Sequence, residues 1–445
     1  MELPMSNALA SKTKCRNVAS FCGLSRTLTF MVGLFGIPSV NASDLSLELR
    51  IGGYNTDNVG RTAALEEDQT VLSAGTTVSV SGETLRTEGG LVADLDFLSF
   101  RDDAFDDEVL PEVRGDFTLK ALPDRVHWLT EARYGVVRRS PLDASTPENR
   151  ELASFVSTGP IVVIPVGSRS SLQLDSRFGA NTFEESETDS ESLSGGMSFN
   201  RALSPRRTLS LRATGQRVEY DTDFGLQDFE TYAAFLALES EISRGSLTAQ
   251  LGRNEVHANG ETFSGTLASI QLDRKLSASS SLGVSVNQRY TDAGSYFGGL
   301  DTVFRPGLES SVVPVRNPFE SRQLRASYSY DKGRHSLTVN AGSSSFIYET
   351  DNTFDSDRTE LGLSVTSELG NSWSVRGRLR LEDRDFETLD RNDTYAIAAL
   401  SVDRSLSRTL SISLEYRYED RDSDADGQDY IENRLTLQFR YTPEI

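Results

Sequence analysis

Three aspartates at every second position near the carboxyl end are the residues best spaced to bind a cation. Asp422, Asp424 and Asp426 are followed by a glycine, in the order that opens an EF-hand calcium loop. The twelfth position of such a loop is a glutamate, and here it is Asn433. The flanking residues alternate as strands do, whereas an EF-hand needs two helices. We therefore expect a solvated acidic loop and keep the three aspartates only as weak calcium candidates, whose loosely bound divalent cations could bridge the loop to lipopolysaccharide phosphates.

A second set of charged residues alternates with apolar residues. Arg376, Arg378 and Arg380 occupy every second position of one such segment. In a strand this alternation puts charged and apolar side chains on opposite faces. If the apolar face meets lipid, the charged face lines a lumen, where it either selects solutes or fills the space with its own ion pairs. The residues expected to line it, with Asp175 beside them, are Arg133, Arg177, Arg212, Arg289, Arg376, Arg378, Arg380, Glu382, Glu415 and Arg417.

The remaining reactive side chains do not form an arrangement typical of an enzyme. His127, His257 and His335 fall on different predicted hairpins, without a nucleophile elbow or metal-ligand spacing nearby. Cys15 and Cys22 both lie in the leading segment. We therefore expect a protein that is not an enzyme and that needs no cofactor.

Residues 1–42 are predicted to be a secretory signal peptide, and residues 43–445 the mature chain. Basic residues precede a short apolar run at 28–37, and small residues end the segment at Ala42. Four basic residues and one glutamate leave with it, so the net charge changes from −21 to −24. Such an acidic chain is a poor partner for nucleic acid. No apolar run of about 18 residues predicts a membrane-spanning helix.

Strands that could position these side chains recur throughout the mature chain. Apolar and polar residues alternate, as from Leu410 to Tyr418, and helical periodicity is absent from the pattern. Short turns separate the strands in pairs. The nine turns are predicted at 81–84, 122–125, 166–169, 203–206, 242–245, 276–279, 331–334, 369–372 and 406–409. Acidic loops alternate with them, at 101–108, 184–191, 221–230, 349–360, 382–393 and 419–432.

This organisation predicts an all-β fold, a transmembrane antiparallel up-and-down β-barrel of about 20 strands, with a range of 16–20. Roughly 20 residues per strand and connection leave about ten to cross the membrane. Short periplasmic turns and longer external loops are typical of the outer membrane of Gram-negative bacteria. A soluble β-solenoid or sandwich array is the alternative, but it does not explain why one end of the hairpins is acidic.

The longest connection, residues 293–319, is a candidate gate. It is the least acidic of the long connections, and its gate residues are Tyr296, Phe297, Phe304 and Arg305. Folded inward, it would narrow or plug the lumen. Packed against its neighbours outside the lumen, it would leave the lumen open, and the sequence favours neither arrangement.

Several local sequences resemble a known family. They are GGYNTDNVGR (52–61), ALPDRVHWLTEARYGVVRRSPLDASTPENR (121–150), FVSTGP (155–160) and NPFESRQLRASYSY (317–330). Together they resemble outer-membrane barrels associated with the exosortase/PEP-CTERM system, which accompanies exopolysaccharide gene clusters. The similarity spans the mature chain and is most specific at 142–150 with 155–160. The resemblance implies a role in exopolysaccharide secretion or surface assembly, with exopolysaccharide and periplasmic export components as partners, and supplies no catalytic residues.

These features together predict a passive channel for a hydrophilic substrate, with Arg and Glu side chains along its wall. Two other functions fit the same sequence. One is a structural or binding barrel that presents acidic surface loops, and the other is a general diffusion porin.

Overall fold

The computed structural model of the chain describes residues 44–63, 66–102, 104–186, 188–220, 228–298, 318–349 and 352–444. The predicted signal peptide lies outside these residues and stays a prediction. So do Phe304 and Arg305 of the candidate gate, and the side chain of Phe297.

The described residues form 20 strands, one short helix and three 3₁₀ turns. The strands are β1 Asp44–Thr56, β2 Gln69–Glu83, β3 Thr87–Phe100, β4 Glu108–Leu122, β5 Val126–Arg138, β6 Arg150–Pro165, β7 Ser170–Phe183, β8 Ser190–Ser204, β9 Arg207–Tyr220, β10 Phe229–Ile242, β11 Gly245–Ala258, β12 Glu261–Lys275, β13 Ser280–Thr291, β14 Phe319–Lys332, β15 His335–Tyr348, β16 Ser356–Leu369, β17 Trp373–Phe386, β18 Arg391–Ser405, β19 Leu410–Ser423 and β20 Tyr430–Tyr441. The helix is α1, Ala293–Gly298, and the 3₁₀ turns are Pro147–Asn149, Asn352–Phe354 and Glu387–Leu389. None of the helices in this part of the chain is long and apolar enough to span a bilayer.

The strands form one closed antiparallel barrel. Each strand pairs with the next, and β20 returns to β1 in a register that runs from Leu49↔Tyr441 to Thr56↔Arg434. Closure leaves no unpaired edge, so the backbone groups within the membrane are satisfied by neighbouring strands. The predicted 20-stranded barrel is confirmed.

All nine predicted short turns overlap the connections between strands, although the turn predicted at 81–84 lies mostly in β2 and the connection there is 84–86. β14 and β15, for example, are joined by two residues, of which Gly333 has φ 65°. A positive φ is readily adopted by glycine and strained for most other residues. The nine turns all lie at one end of the barrel, because each joins an even-numbered strand to the next.

The connections at the other end differ from the prediction in several places, and residues 356–360 of the expected acidic loop 349–360 belong to β16. The expected acidic loops 382–393 and 419–432 shrink to 387–390 and 424–429, because their charged residues belong to β17, β18, β19 and β20. We predicted a loop for these residues because so many of them are charged. They form strand because opposite charges pair with one another on one face, as the site shows below. Another connection, between β11 and β12, is a two-residue turn at Asn259 and Gly260.

The outer face of the barrel is apolar. Leu211, Leu236 and Leu251 lie side by side on β9, β10 and β11 and are 53–65% exposed. Large aliphatic side chains exposed in a continuous row are expected only where the surrounding medium is lipid. The side chains at alternate positions therefore point into the lumen, and this alternation positions the candidate site.

Candidate functional site

The predicted lumen residues lie on the face opposite the apolar band. On β17, Arg378 and Arg380 alternate with Leu379 and Leu381, whose side chains are exposed on the outer face. In the strand register Arg378 lies opposite Ser364 of β16, so the inward face continues onto the neighbouring strand. Arg133, Arg177, Arg212, Arg289, Arg376, Glu382, Glu415 and Arg417 have the inward position on their own strands.

Most of these residues form ion pairs within the wall. The Nη2 atom of Arg380 lies 2.7 Å from a carboxylate oxygen of Glu382, and the Nη2 atom of Arg417 lies 2.7 Å from a carboxylate oxygen of Glu419. Arg378 pairs with Glu415. Arg177 lies 2.7 Å from Glu131, and Arg212 lies 3.2 Å from Asp175. Much of the lumenal charge is therefore neutralised locally, as the ion-pair alternative anticipated.

Near the long-loop end the ion pairs merge into a buried network. We call it the charged cluster, and its members are Arg61, Glu382, Arg384, Arg391, Asp393, Glu419, Arg421 and Glu432. Arg421 lies 2.9 Å from Asp393, and neither side chain is exposed at all. Arg391 also lies 2.9 Å from Asp393, and Arg61 joins Glu432 at 3.0 Å. Buried charges persist only when they are paired, and here the signs alternate along β17, β18 and β19, as in Glu382 and Arg384, Arg391 and Asp393, and Glu419 and Arg421.

A hairpin tip covers the charged cluster. We call residues 135–152, which join β5 to β6, the roof hairpin. Pairing of β4 with β5 stops at Val113↔Tyr134, while β5 and β6 stay paired up to Arg138↔Arg150. The hairpin therefore leaves the wall and bends inward over the mouth of the barrel.

The packing of the roof hairpin confirms this direction. Val136 and Leu152 would face lipid if the hairpin continued along the wall, by the alternation of β5 and β6. They pack instead against Val71, Phe100 and Leu110, which lie on the inner face of β2, β3 and β4. Burial of this apolar face stabilises the inward bend.

Arginines of the distant wall hold the tip of the roof hairpin. Arg391 and Arg421 donate to the carbonyl of Leu142 at 2.6 and 2.8 Å. Arg384 donates to the carbonyl of Pro141 at 3.4 Å, and Arg61 to that of Ser145 at 3.2 Å. β17, β18 and β19 lie six to nine strands from the roof hairpin around the ring, so the tip crosses the lumen.

The tip is also braced internally by one side chain. Asn149 donates to the carbonyls of Ser140 at 2.9 Å and Ala144 at 3.1 Å, and its oxygen accepts from the Ser140 amide at 2.8 Å. Below it, Glu151 accepts from the amides of Glu185 and Ser186. Burial, with the nearby carboxylates of Glu185 and Glu151, raises the pKa of the neighbouring Glu184.

The candidate gate enters the lumen from another side. Tyr296 of α1 packs edge-on against Phe319 and Phe346, and its hydroxyl accepts from Gln323 at 2.9 Å. Gln216 of β9 donates to Ser295 at 3.3 Å, and α1 lies against β6. The start of the predicted gate is therefore inside the mouth, beside the roof hairpin's own strand.

The aspartates that suggested calcium do not assemble into a site. Asp422, Asp424 and Asp426 are exposed, and a carboxylate oxygen of Asp424 accepts from the Asn392 amide at 3.3 Å. Among the residues that the structure describes, no three His, Cys, Asp or Glu side chains come close enough to hold a metal ion.

Sequence reasoning missed much of the charged cluster and the roof hairpin. Arg384, Arg391, Asp393 and Arg421 fell within segments that we took as acidic loops. One signal could have found them, namely that their charges alternate in sign at every second position, as in Arg391 and Asp393. The inward bend of the roof hairpin has no comparable signal.

Comparisons with known proteins agree with a porin-like barrel. A family model described as "Putative beta-barrel porin 2" matches residues 332–442. The search of curated proteins finds no match. This chain is accordingly described as an outer-membrane β-barrel that resembles channel-forming porins.

Several solved structures are similar to the chain at low identity. One is the apoprotein form of the FrpB iron transporter from Neisseria meningitidis, with 9% identity, a TM-score of 0.47, and coverage of 91% of this chain and 82% of that one. Another is the unliganded ferric citrate transporter FecA, with 9% identity, a TM-score of 0.45, and coverage of 90% and 79%. A third is OccAB3 of Acinetobacter baumannii, with 8% identity, a TM-score of 0.40, and coverage of 90% and 100%.

Proposed function

We propose that this outer-membrane barrel is a passive conduit for a hydrophilic chain, an exopolysaccharide, and that the roof hairpin narrows its outer mouth. The observation that carries the proposal is the inward roof hairpin, whose carbonyls are held by arginines from the distant wall. A hairpin held across the lumen narrows the path of any solute, as a constriction in a channel does.

The wall chemistry supports a hydrophilic substrate. Inward positions of β8 carry serine at 190, 192, 194 and 198, and those of β17 carry Arg376, Arg378 and Arg380. Hydroxyl and guanidinium groups hydrogen-bond to sugar hydroxyls and offer little apolar surface. Passage through such a lumen needs no chemical step, because weak contacts at many positions let a chain enter and leave.

The link to exopolysaccharide comes from the family resemblance and from where it falls on the structure. The most specific block, 142–150 with 155–160, covers the tip of the roof hairpin and the part of β6 that lies in the barrel wall below it. The sequence most typical of the family thus forms the part that controls the mouth. Export components in the periplasm would deliver the chain to the short-turn end.

One observation favours a second function. The roof hairpin rests on a fully buried charged cluster and is braced by Asn149, so it is built to stay in place. A permanently closed barrel would act as an anchor, presenting its acidic external loops to polysaccharide or to lipopolysaccharide through bridging cations. A general diffusion porin is the third possibility, in which the roof sets only a size limit.

Single-channel conductance in a planar bilayer separates these functions. Refolded mature protein is measured with and without oligosaccharide prepared from the host's exopolysaccharide. A steady current that the oligosaccharide blocks supports the conduit, whereas a steady current that it leaves unchanged indicates a general porin. No current from protein shown to be folded would overturn the conduit in favour of the closed anchor.

A further inference from the structure

We infer that the wall formed by β13 to β17 binds the anionic groups of an acidic polysaccharide, such as the carboxylates of uronic acids. This inference rests on the proposed conduit and names the class of its substrate. The site, which we call the arginine face, consists of the lumenal side chains of Arg289, Arg325 and Arg376.

The three arginines share an inward position and a small polar surrounding. In the strand register Arg325 lies between Ser285 and Gly342, and Arg376 lies between Thr366 and Ser401. Small neighbours leave space above each guanidinium group, so a bulky ligand can approach it. All three side chains are exposed to the lumen.

The arginine face differs from the paired arginines Arg177 and Arg212 in having no carboxylate partner among the residues that the structure describes. Arg177 and Arg212 pair with Glu131 and Asp175, at 2.7 and 3.2 Å. Within the described part of the chain, no carboxylate lies within 4.0 Å of the guanidinium nitrogens of Arg289, Arg325 or Arg376. Arg376 donates instead to the neutral hydroxyl of Thr366 at 3.2 Å.

A guanidinium group that faces the lumen without a carboxylate partner can bind an anion from solution. Its planar fork matches a carboxylate with two parallel hydrogen bonds, which are stronger than those to a neutral sugar hydroxyl. The low-dielectric wall also focuses the positive potential into the lumen. The chain as a whole carries a net charge of −21, so this excess of positive charge on one stretch of wall is local and runs against the composition.

The position of the arginine face suits a polymer in transit. Its arginines lie on β13, β14 and β17, and α1 follows directly after Arg289 and β13 at the mouth. Successive acidic residues of a chain would therefore exchange among three separate guanidinium groups. Several weak positions in series allow movement, whereas one tight site would arrest it.

Current block by matched oligosaccharides tests this inference. The mature wild-type protein is compared in a planar bilayer with the triple variant R289Q/R325Q/R376Q. The control triple R217Q/R253Q/R322Q removes the same charge from exposed arginines on the outer face. The probes are oligogalacturonate and a neutral maltooligosaccharide of equal length.

Oligogalacturonate should block the wild type and the control triple at lower concentration than the neutral sugar does. The arginine-face triple should need about a tenfold higher concentration of oligogalacturonate, because charge-assisted hydrogen bonds are lost. Equal block by both sugars, or an arginine-face triple that behaves like the wild type, would overturn the inference while leaving the conduit standing. No current from folded wild-type protein would overturn the conduit and the inference together.

A conservative single variant keeps the test valid if the triple variant fails to fold. R325K keeps the charge but not the two-pronged geometry, and its exposed side chain can change without disturbing packing. Its oligogalacturonate block should lie between those of the wild type and R325Q. Identical block by R325K and R325Q, both weaker than the wild type, would still support guanidinium recognition, whereas no change in either variant would contradict it.

Discussion

Arg421 and Asp393 show how single residues decide the inner architecture of this barrel. Their side chains are completely buried and 2.9 Å apart, and Arg391 shares the same carboxylate. Two of the arginines that this carboxylate neutralises also hold the carbonyl of Leu142 in the roof hairpin. One carboxylate thus supports both the wall and the roof.

Replacing Asp393 with alanine should lower the free energy of unfolding by about 3–5 kcal/mol, because two buried arginines lose their counter-charge. Urea unfolding of the refolded protein in detergent or lipid measures this. Asp403→Ala, on the same face of the same strand but half-buried, is the control and should lower it by less than about 1 kcal/mol. An equal decrease in the free energy of unfolding in the two variants would show that burial of the ion pair adds nothing to stability.

Gly75 makes room for another lumenal ion pair. Arg50 reaches across it to Asp96 at 3.0 Å, and a Cβ at position 75 would overlap the Asp96 carboxylate. Gly75→Ala should therefore lower stability by about 1–3 kcal/mol through crowding. Gly377→Ala, in a strand with nothing within 4 Å of the new Cβ, should be neutral or stabilising in the same unfolding assay. A neutral Gly75→Ala would contradict the crowding argument.

The sequence predicts these residues unevenly. Alternation alone put Arg376, Arg378 and Arg380 on one face, since the strand period is two and lipid demands apolar partners between them. It failed at Asp393 and Arg421 because a dense run of charges at the end of a strand looks like a loop. Burial of such charges depends on the roof hairpin, which arrives from elsewhere in the sequence.

At the scale of elements, the roof hairpin is the unit that departs from a simple barrel. Its strands belong to the wall as far as Tyr134, and its tip belongs to the lumen. The nine short turns were predictable because strand alternation breaks there. The inward bend was not, because it depends on contacts of Val136 and Leu152 with strands far away in sequence.

Asn149→Ala should loosen the tip of the roof hairpin, because four hydrogen bonds to the tip backbone are lost. Local opening should become easier by about 1–2 kcal/mol, so trypsin should cut after the exposed Arg139 about tenfold faster than in the wild type. Limited proteolysis of the refolded protein measures the rate. Asn287→Ala, on the lumenal face of β13, is the control, and a rate equal to the wild type in both variants would contradict the bracing role.

At the scale of the whole molecule, closure and orientation follow from the same pattern. Twenty strands close without an edge, with short turns at one end and, apart from the connections at 259–260 and 387–390, longer connections at the other. The sequence predicted this correctly because every strand repeats the same alternation. Whether the lumen is open or narrowed could not be predicted. It depends on the roof hairpin, α1 and the strands of the charged cluster, which come together only after the ring has closed.

Protease added to intact cells should cut the exposed connection at 424–429, which lies at the end that we assign to the cell exterior. The turn at 203–206, at the opposite end, should be cut only after the outer membrane is ruptured. Fragment sizes on a gel distinguish the two sites. The reverse pattern would invert the orientation of the barrel and place the roof hairpin in the periplasm.

The central claim is that the roof hairpin narrows a lumen that conducts. The most direct measurement is the single-channel conductance of the mature protein beside a variant in which residues 140–148 are replaced by a short Gly-Ser linker. A similar replacement of Glu387–Leu389 is the control. The account predicts a small steady current in the wild type and the control, and a several-fold larger current in the variant without the tip. Equal conductance in all three folded proteins would contradict it.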